Sequence, residues 1–271
     1  MRTLSGIVLL ALAGCGAPRA EPVDVGRAPG ETNRRSAYLP SLHGFRFVNH
    51  FEGSPLPAAL RNPTTGASLI GGGKSIPSTF GLCGGMSLAS ADYYHAGVAP
   101  PARTTPPEQG TGLYEYIYQR QAESFGDGAI MVAAFMSWMN LPDNGDDGTG
   151  ARSARELPGI VSRLERGEVF PLGLVLVRSP SNRGAPSSPV GRLWNNHQVL
   201  AFGVQEREGG VVEVAVYDPN FPGDDGVIVR FAAVGESVRL ERVTGRGRKT
   251  TVRGVFPMPY AVHAPPENAA E

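Results

Sequence analysis

The chain has 271 residues, of which 41% are apolar and 18% charged, with 36 glycines and 24 prolines. That composition describes a folded, loop-rich protein and excludes a disordered or collagen-like chain. The 25 basic and 25 acidic residues cancel, so the broad positive field expected of a nucleic-acid binder is absent.

The first residues, MRTLSGIVLLALAGCGAP, place one charge, Arg2, ahead of a short apolar run. That is the layout of a secretory signal, and the run is too short to span a bilayer. Its end, Leu12-Ala13-Gly14-Cys15, resembles a bacterial lipobox, in which the cysteine carries the lipid. Residues 1–14 are therefore expected to be a lipoprotein signal peptide. Export and membrane anchoring through Cys15 at the bacterial cell envelope follow, against the plainer reading of an ordinary signal with an incidental cysteine. Residues 15–36 are polar and rich in Pro, Gly and charge, and read as a flexible tether. Residues 37–263 read as a single domain, and 264–271 as a disordered tail.

Along the domain, LHGFRFVNHF alternates apolar and polar residues and predicts a strand or extended segment. Residues 62–79 read as a long loop. Helices are predicted over residues 84–95, 113–125 and 129–140, the first with Met86, Ala89 and Tyr93 on one face. The Ser153…Glu156 capping-box pattern predicts a fourth helix running to about residue 166, with Pro158 near its first turns. The texture then changes. VFPLGLVLV, HQVLAFGVQ, VVEVAVYD, GVIVRFAAV, SVRLERV and TVRGVFPM all read as strands joined by Gly, Pro and Asp turns. Helices first and strands second predict an α+β fold with a mostly antiparallel sheet.

Three patterns are set aside. SLIGGGKS lacks the first glycine and the preceding strand of a phosphate-binding loop. The acidic loops DNGDDGTG and PGDDG lack calcium-loop spacing. No histidine pair has metal-ligand spacing on a helix, so no metal and no cofactor are expected.

The chemistry centres on Cys83, in FGLCGGMS. If Cys15 is lipidated, Cys83 is the odd cysteine of an oxidising compartment. It is then a reactive thiol, half of an intermolecular disulfide, or a buried inert thiol. Gly81, Gly84 and Gly85 permit a tight turn and the close approach of another chain. A helix starting here aims its N-terminal N–H groups at the sulfur, which favours the thiolate. A thiolate catalyst needs a base, and His197 opens the apolar strand of NNHQVLAFGV. Asp218, in VYDPNF, ends the next strand. A hairpin turning at EREGG sets the start of one strand beside the end of the other, so His197 and Asp218 become neighbours. Trp194 is a candidate wall of the cleft or a core residue. His43, His50 and His95 have no partner pattern and read as structural.

GLCGGMS followed by HQVLAFGV resembles the papain-like cysteine peptidase superfamily, with the Asp-Pro pair most similar to the branch that includes bacteriocin-processing peptidases. GLCGGM, NHQVLA and YDPN together also resemble a bacterial lipoprotein group, which implies no particular activity. The superfamily resemblance implies a papain-like fold with an N-terminal helical part and a C-terminal sheet. It makes Cys83 the nucleophile, His197 the general base and acid, and Asp218 the residue orienting His197, with Asn220 as the substitute for Asp218. It implies a peptidase, amidase or acyl-transferase acting on a peptide or amide substrate, or a catalytically inactive binding lipoprotein of the same fold. The sequence specifies neither the substrate nor the oligomeric state. One departure stands out. The family glutamine that stabilises the oxyanion falls at Pro77, and no glutamine lies between His50 and Cys83. The Cys83 N–H remains as one donor, with Ser75, Ser78 or Thr79 as candidates for the other.

Overall fold

A computed structural model describes residues 33–53, 79–127, 130–179 and 192–269. The helices come first: α1 (Pro40–His43), α2 (Cys83–Ala96), α3 (Gly112–Glu123), α4 (Ile130–Asn140) and α5 (Thr149–Glu165). The long strands follow: β4 (Phe170–Val175), β5 (His197–Arg207), β6 (Val211–Tyr217), β7 (Ile228–Val234), β8 (Ser237–Val243), β9 (Lys249–Val252) and β10 (Gly254–Pro257). Short strands β1 (Asn33–Arg35), β2 (Phe51–Glu52) and β3 (Thr79–Phe80) precede them. The chain is thus mixed helix and sheet, and every strand pairing is antiparallel.

The strand order β10-β4-β5-β6-β7-β8-β9 puts β9 and β10 at opposite ends of the path, yet only Arg253 separates them in sequence. The sheet must therefore curl until its edges nearly meet. Arg253 pins the seam: its guanidinium donates to Val177 O and Leu141 O, each at 2.8 Å, and its N–H to Val175 O at 2.8 Å. The stretch TVRGVFPM is accordingly two strands rather than the one its composition suggests. Inside the curl, Ile160 and Leu164 of α5 pack with Phe170, Leu172, Val199, Val216 and Phe231.

α5 starts earlier than its capping-box pattern implies. Gly148 is the N-cap, and Ser153 sits inside the helix, its Oγ donating to Thr149 O at 2.8 Å and accepting the Val255 N–H at 2.9 Å. Tertiary bonding to β10 outcompetes the local cap. Pro158 lies mid-helix, on its exposed side, where water can satisfy the carbonyl left without an N–H partner.

Three expectations at the chain's margins are corrected. Residues 33–35 do not belong to a tether, because Asn33, Arg34 and Arg35 pair with Gln205, Val204 and Gly203 of β5. The tail is docked: Ala269 is buried and its carbonyl accepts from Tyr93 Oη at 2.9 Å. Of LHGFRFVNHF, Leu42 and His43 close α1 and only Phe51 lies in a strand, β2; the residues between form no ladder, with Phe45 and Phe47 buried in the aromatic cluster around α2. The signal peptide, Cys15, most of the tether and most of the 62–79 loop lie outside the described residues. Among those described, no helix is long and apolar enough to cross a membrane.

α2 is the central helix, packed against α3, β4 and β5. Its residues from Gly84 to Tyr93 are all buried, so it has no single apolar face. Small side chains let its neighbours approach. A Cβ on Gly85 would fall 2.0 Å from Ile117 O of α3. A backbone carbonyl cannot rotate away, so Gly85→Ala is expected to destabilise the fold by about 3 kcal/mol. A thermal melt is expected to show Tm lower by roughly 6–12 °C at this chain length.

Candidate active site

Cys83 is the first residue of α2. The helix has no side-chain cap of its own; the preceding Leu82 N–H instead donates to Asn49 Oδ1 at 2.6 Å. Gly81 makes room for that amide, since a Cβ there would fall 2.8 Å from Asn49 Nδ2. On the helix side, a Cβ on Gly84 would fall 2.3 Å from Ser124 Oγ and 2.4 Å from Gln198 Oε1. None of these three glycines has a positive φ. The GLCGG stretch is therefore a close-packing motif rather than a turn. The Gly85 N–H donates to Gln121 Oε1 at 3.0 Å. The N–H groups of Cys83 and Gly84 have no acceptor among the described residues, as expected of a helix's first turn.

His197 opens β5, opposite Leu174 of β4. The β5–β6 hairpin turns through Gly209 and Gly210, both at the positive φ such a turn requires. Its ladder ends where Leu200 faces Tyr217. Continued, that register would set His197 opposite Asn220. The chain instead leaves the strand after Tyr217, and Asp218 reaches across: His197 Nε2 lies 2.6 Å from Asp218 Oδ1. With Nε2 taken by the carboxylate, Nδ1 is the ring nitrogen left for the Cys83 thiol, which interacts with the imidazole.

Asp218 is fully buried and saturated with donors. Its Oδ1 also accepts the Asn220 N–H at 2.9 Å, and its Oδ2 accepts Arg242 Nη1 at 2.8 Å. Arg242 lies over the Phe221 ring at 5.2 Å. These contacts set the charges. Burial alone would lower the His197 pKa, but the Asp218 carboxylate and then the Cys83 thiol outweigh it and raise it to about 10. Burial would raise the Asp218 pKa, but His197 and Arg242 hold it below the usual carboxylate range. The ring is thereby held as an imidazolium at neutral pH, between the Asp218 carboxylate and the Cys83 sulfur.

No family model, curated protein or solved structure matches this chain. The arrangement must be read from its own residues. Cys83, His197 and Asp218 come together from α2, the head of β5 and the end of β6. Asn220 flanks them, its Nδ2 3.4 Å from His197 Nε2, but the carboxylate of Asp218 holds the short contact. Ser75 and Ser78 lie outside the described residues. Thr79 is exposed in β3, opposite Glu52. Trp194 is 57% exposed, edge-on to Phe125 at 6.0 Å, and is no core residue.

Two site residues carry little sequence signal. Arg242 sits where the alternation of β8 after Val238 and Leu240 calls for an apolar residue, and that break in pattern is its only mark. Asn49 follows an aromatic run and has none. The acidic loops are structural: Asp143 pairs with Arg253 and Arg178, and Asp225 accepts from Ser41 N and Oγ at 2.8 and 2.7 Å. Among the described residues, no group of three or more His, Cys, Asp or Glu converges to hold a metal ion. A concavity of about 620 Å³ at the far end of the β5–β6 hairpin is lined by Arg35, Arg207, Glu213 and Arg230, and among the described residues its lining has no cysteine, serine or histidine.

Proposed function

We propose that this chain is a cysteine hydrolase or acyl-transferase of papain-like fold, held at the bacterial cell envelope through Cys15, with Cys83 as nucleophile. The observation that carries the reading is the 2.6 Å His197–Asp218 contact, with the Cys83 thiol against the same ring at the start of a buried helix. Nucleophile, base and orienting carboxylate are the parts of a covalent acyl-transfer site, and their roles rest on geometry rather than chain order.

The thiol proton rests on His197, whose imidazolium faces the Cys83 thiolate. Cys83 Sγ attacks an amide or ester carbonyl, and His197 returns a proton to the leaving group. Asp218 keeps the ring oriented and charged, and Arg242 keeps Asp218 ionised. His197 is the proton donor for the leaving group and holds its proton up to about pH 10. The alkaline limb of acylation is therefore expected near that pH, with loss of rate above it.

The test uses the full chain carrying Cys15→Ser, so that Cys83 is the single thiol. p-Nitrophenyl acetate is expected to release a stoichiometric burst of nitrophenol, with the acetyl group found on Cys83 by mass spectrometry. A chain whose Cys83 stays unmodified while other residues acetylate at the background rate contradicts the reading.

A further inference from the structure

The candidate site lacks a family-type glutamine; of the side chains considered for its place, Ser75 and Ser78 lie outside the described residues, and Thr79 is exposed in β3. Asn49 reaches the residue before Cys83. Its orientation is fixed: Leu82 N–H is a donor, so the atom 2.6 Å from it is the carbonyl oxygen. The amide nitrogen is then Nδ2, which lies beside Gly81, 2.8 Å from where a Cβ would stand. One of its hydrogens reaches Asn220 Oδ1 at 3.2 Å, and the second has no acceptor among the described residues. The same asparagine is anchored through its backbone N–H to Pro219 O at 3.0 Å, so it bridges the residue before the nucleophile and the loop that carries Asp218. The other amides near the start of α2 are committed elsewhere. Gln121 Nε2 and Gln198 Nε2 each donate to Ser124 Oγ at 3.2 Å, and the remaining Gln198 Oε1 is an acceptor, buried without a partner.

We propose that Asn49 is the side-chain oxyanion donor of this site, acting beside the Cys83 backbone N–H. The inference rests on the acyl-transfer reading above. Cys83 Sγ bonds to the carbonyl carbon, and the C=O π pair moves onto oxygen. That oxyanion accepts from the Cys83 N–H and Asn49 Nδ2–H. Collapse re-forms the carbonyl and breaks the bond to the leaving group, which takes the His197 proton and leaves a thioester. Water then adds, His197 takes its proton, the acid departs, and thiolate and imidazolium are restored. Donors fixed in place before reaction stabilise this charge without reorganising. Here the fixing comes from Leu82, Asn220 and Pro219.

The experiment separates oxyanion stabilisation from placement of the nucleophile. Acylation by p-nitrophenyl acetate passes through an oxyanion, whereas alkylation by iodoacetamide displaces iodide and forms none. The Cys15→Ser chain is compared with the same chain carrying Asn49→Asp, which keeps the acceptor for Leu82 but has no N–H, and Asn49→Ala. Acylation is expected to fall about a hundred- to a thousand-fold in both, with alkylation of Cys83 within about threefold of the parent. Equal losses in both reactions would mean that Asn49 only positions Cys83 and would overturn the assignment. So would an Asn49→Asp chain that acylates like the parent. A parent chain that alkylates at Cys83 but never acylates overturns the acyl-transfer reading itself, and this assignment with it.

Discussion

Replacing His197 with alanine is expected to slow iodoacetamide alkylation of Cys83 at pH 6 by about ten- to a hundred-fold. In the parent chain the ring keeps its proton up to about pH 10 and presents a positive charge to the sulfur. Without it, Cys83 loses the imidazolium that faces it. An isolated thiol ionises near 8.5, which leaves only about 0.3% thiolate at pH 6. The loss is smaller than that fraction implies, because a thiolate stabilised by an ion pair is intrinsically less nucleophilic. The two rates are expected to converge as pH approaches 10, where the parent ring deprotonates. Stopped-flow alkylation followed by mass spectrometry at Cys83 gives both curves. Superimposable profiles from pH 5 to 10 would mean that His197 does not act on the thiol.

Asp218→Ala is expected to be the most damaging substitution for stability, costing about 3–5 kcal/mol. Asp218 is fully buried, and its two oxygens pair with the His197 imidazolium and the Arg242 guanidinium. Removing it strips both buried cations of their shared carboxylate. The pH dependence carries a sign that checks the cause. His197 has a raised pKa, so its contribution is complete below its unfolded value of about 6.5 and is lost as pH rises through about 10. Asp218 has a lowered pKa, so its contribution is present above its unfolded value of about 3.8 and is lost as pH falls through its folded value. Urea melts of the parent chain should therefore show this stabilisation in full between about pH 4 and 6.5, declining on both sides. In Asp218→Ala both declines should flatten. A variant with unchanged stability across that range would show that the pair contributes nothing net to the fold.

The architecture was legible where periodicity and punctuation agreed. β5 and β6 are apolar runs closed by a Gly-Gly turn, and they bring His197 and Asp218 to one end of a hairpin from sequence alone. The order of helices before strands reflects the same local signals. What was not legible depends on contacts between segments distant in sequence. The break at Arg253 has no local cause: the two halves of TVRGVFPM pair with β8 and β4, so only the curl of the whole sheet divides them. Ser153 has the pattern of a cap but serves β10 from inside α5. Asn33 to Arg35 look like linker because three polar residues gain their order from pairing with the distant β5.

The site divides in the same way. A cysteine, a histidine and an aspartate in glycine-rich or strand-end settings announce themselves by residue type. Asn49 and Arg242 do not, because an asparagine in an extended segment and an arginine in a strand ordinarily face water. Their roles come from where the fold brings them, Asn49 to the peptide ahead of Cys83 and Arg242 to the second oxygen of Asp218.

The protonation state of His197 tests the central claim most directly. Nitrogen-15 NMR of the imidazole, recorded from pH 5 to 11, distinguishes a doubly protonated ring from either neutral tautomer. The resonances are expected to report an imidazolium through pH 8 and to titrate near 10, held there by Asp218 and the Cys83 thiol. A ring that titrates near 6.5 would contradict the charged Cys83–His197–Asp218 arrangement and the acyl-transfer chemistry built on it.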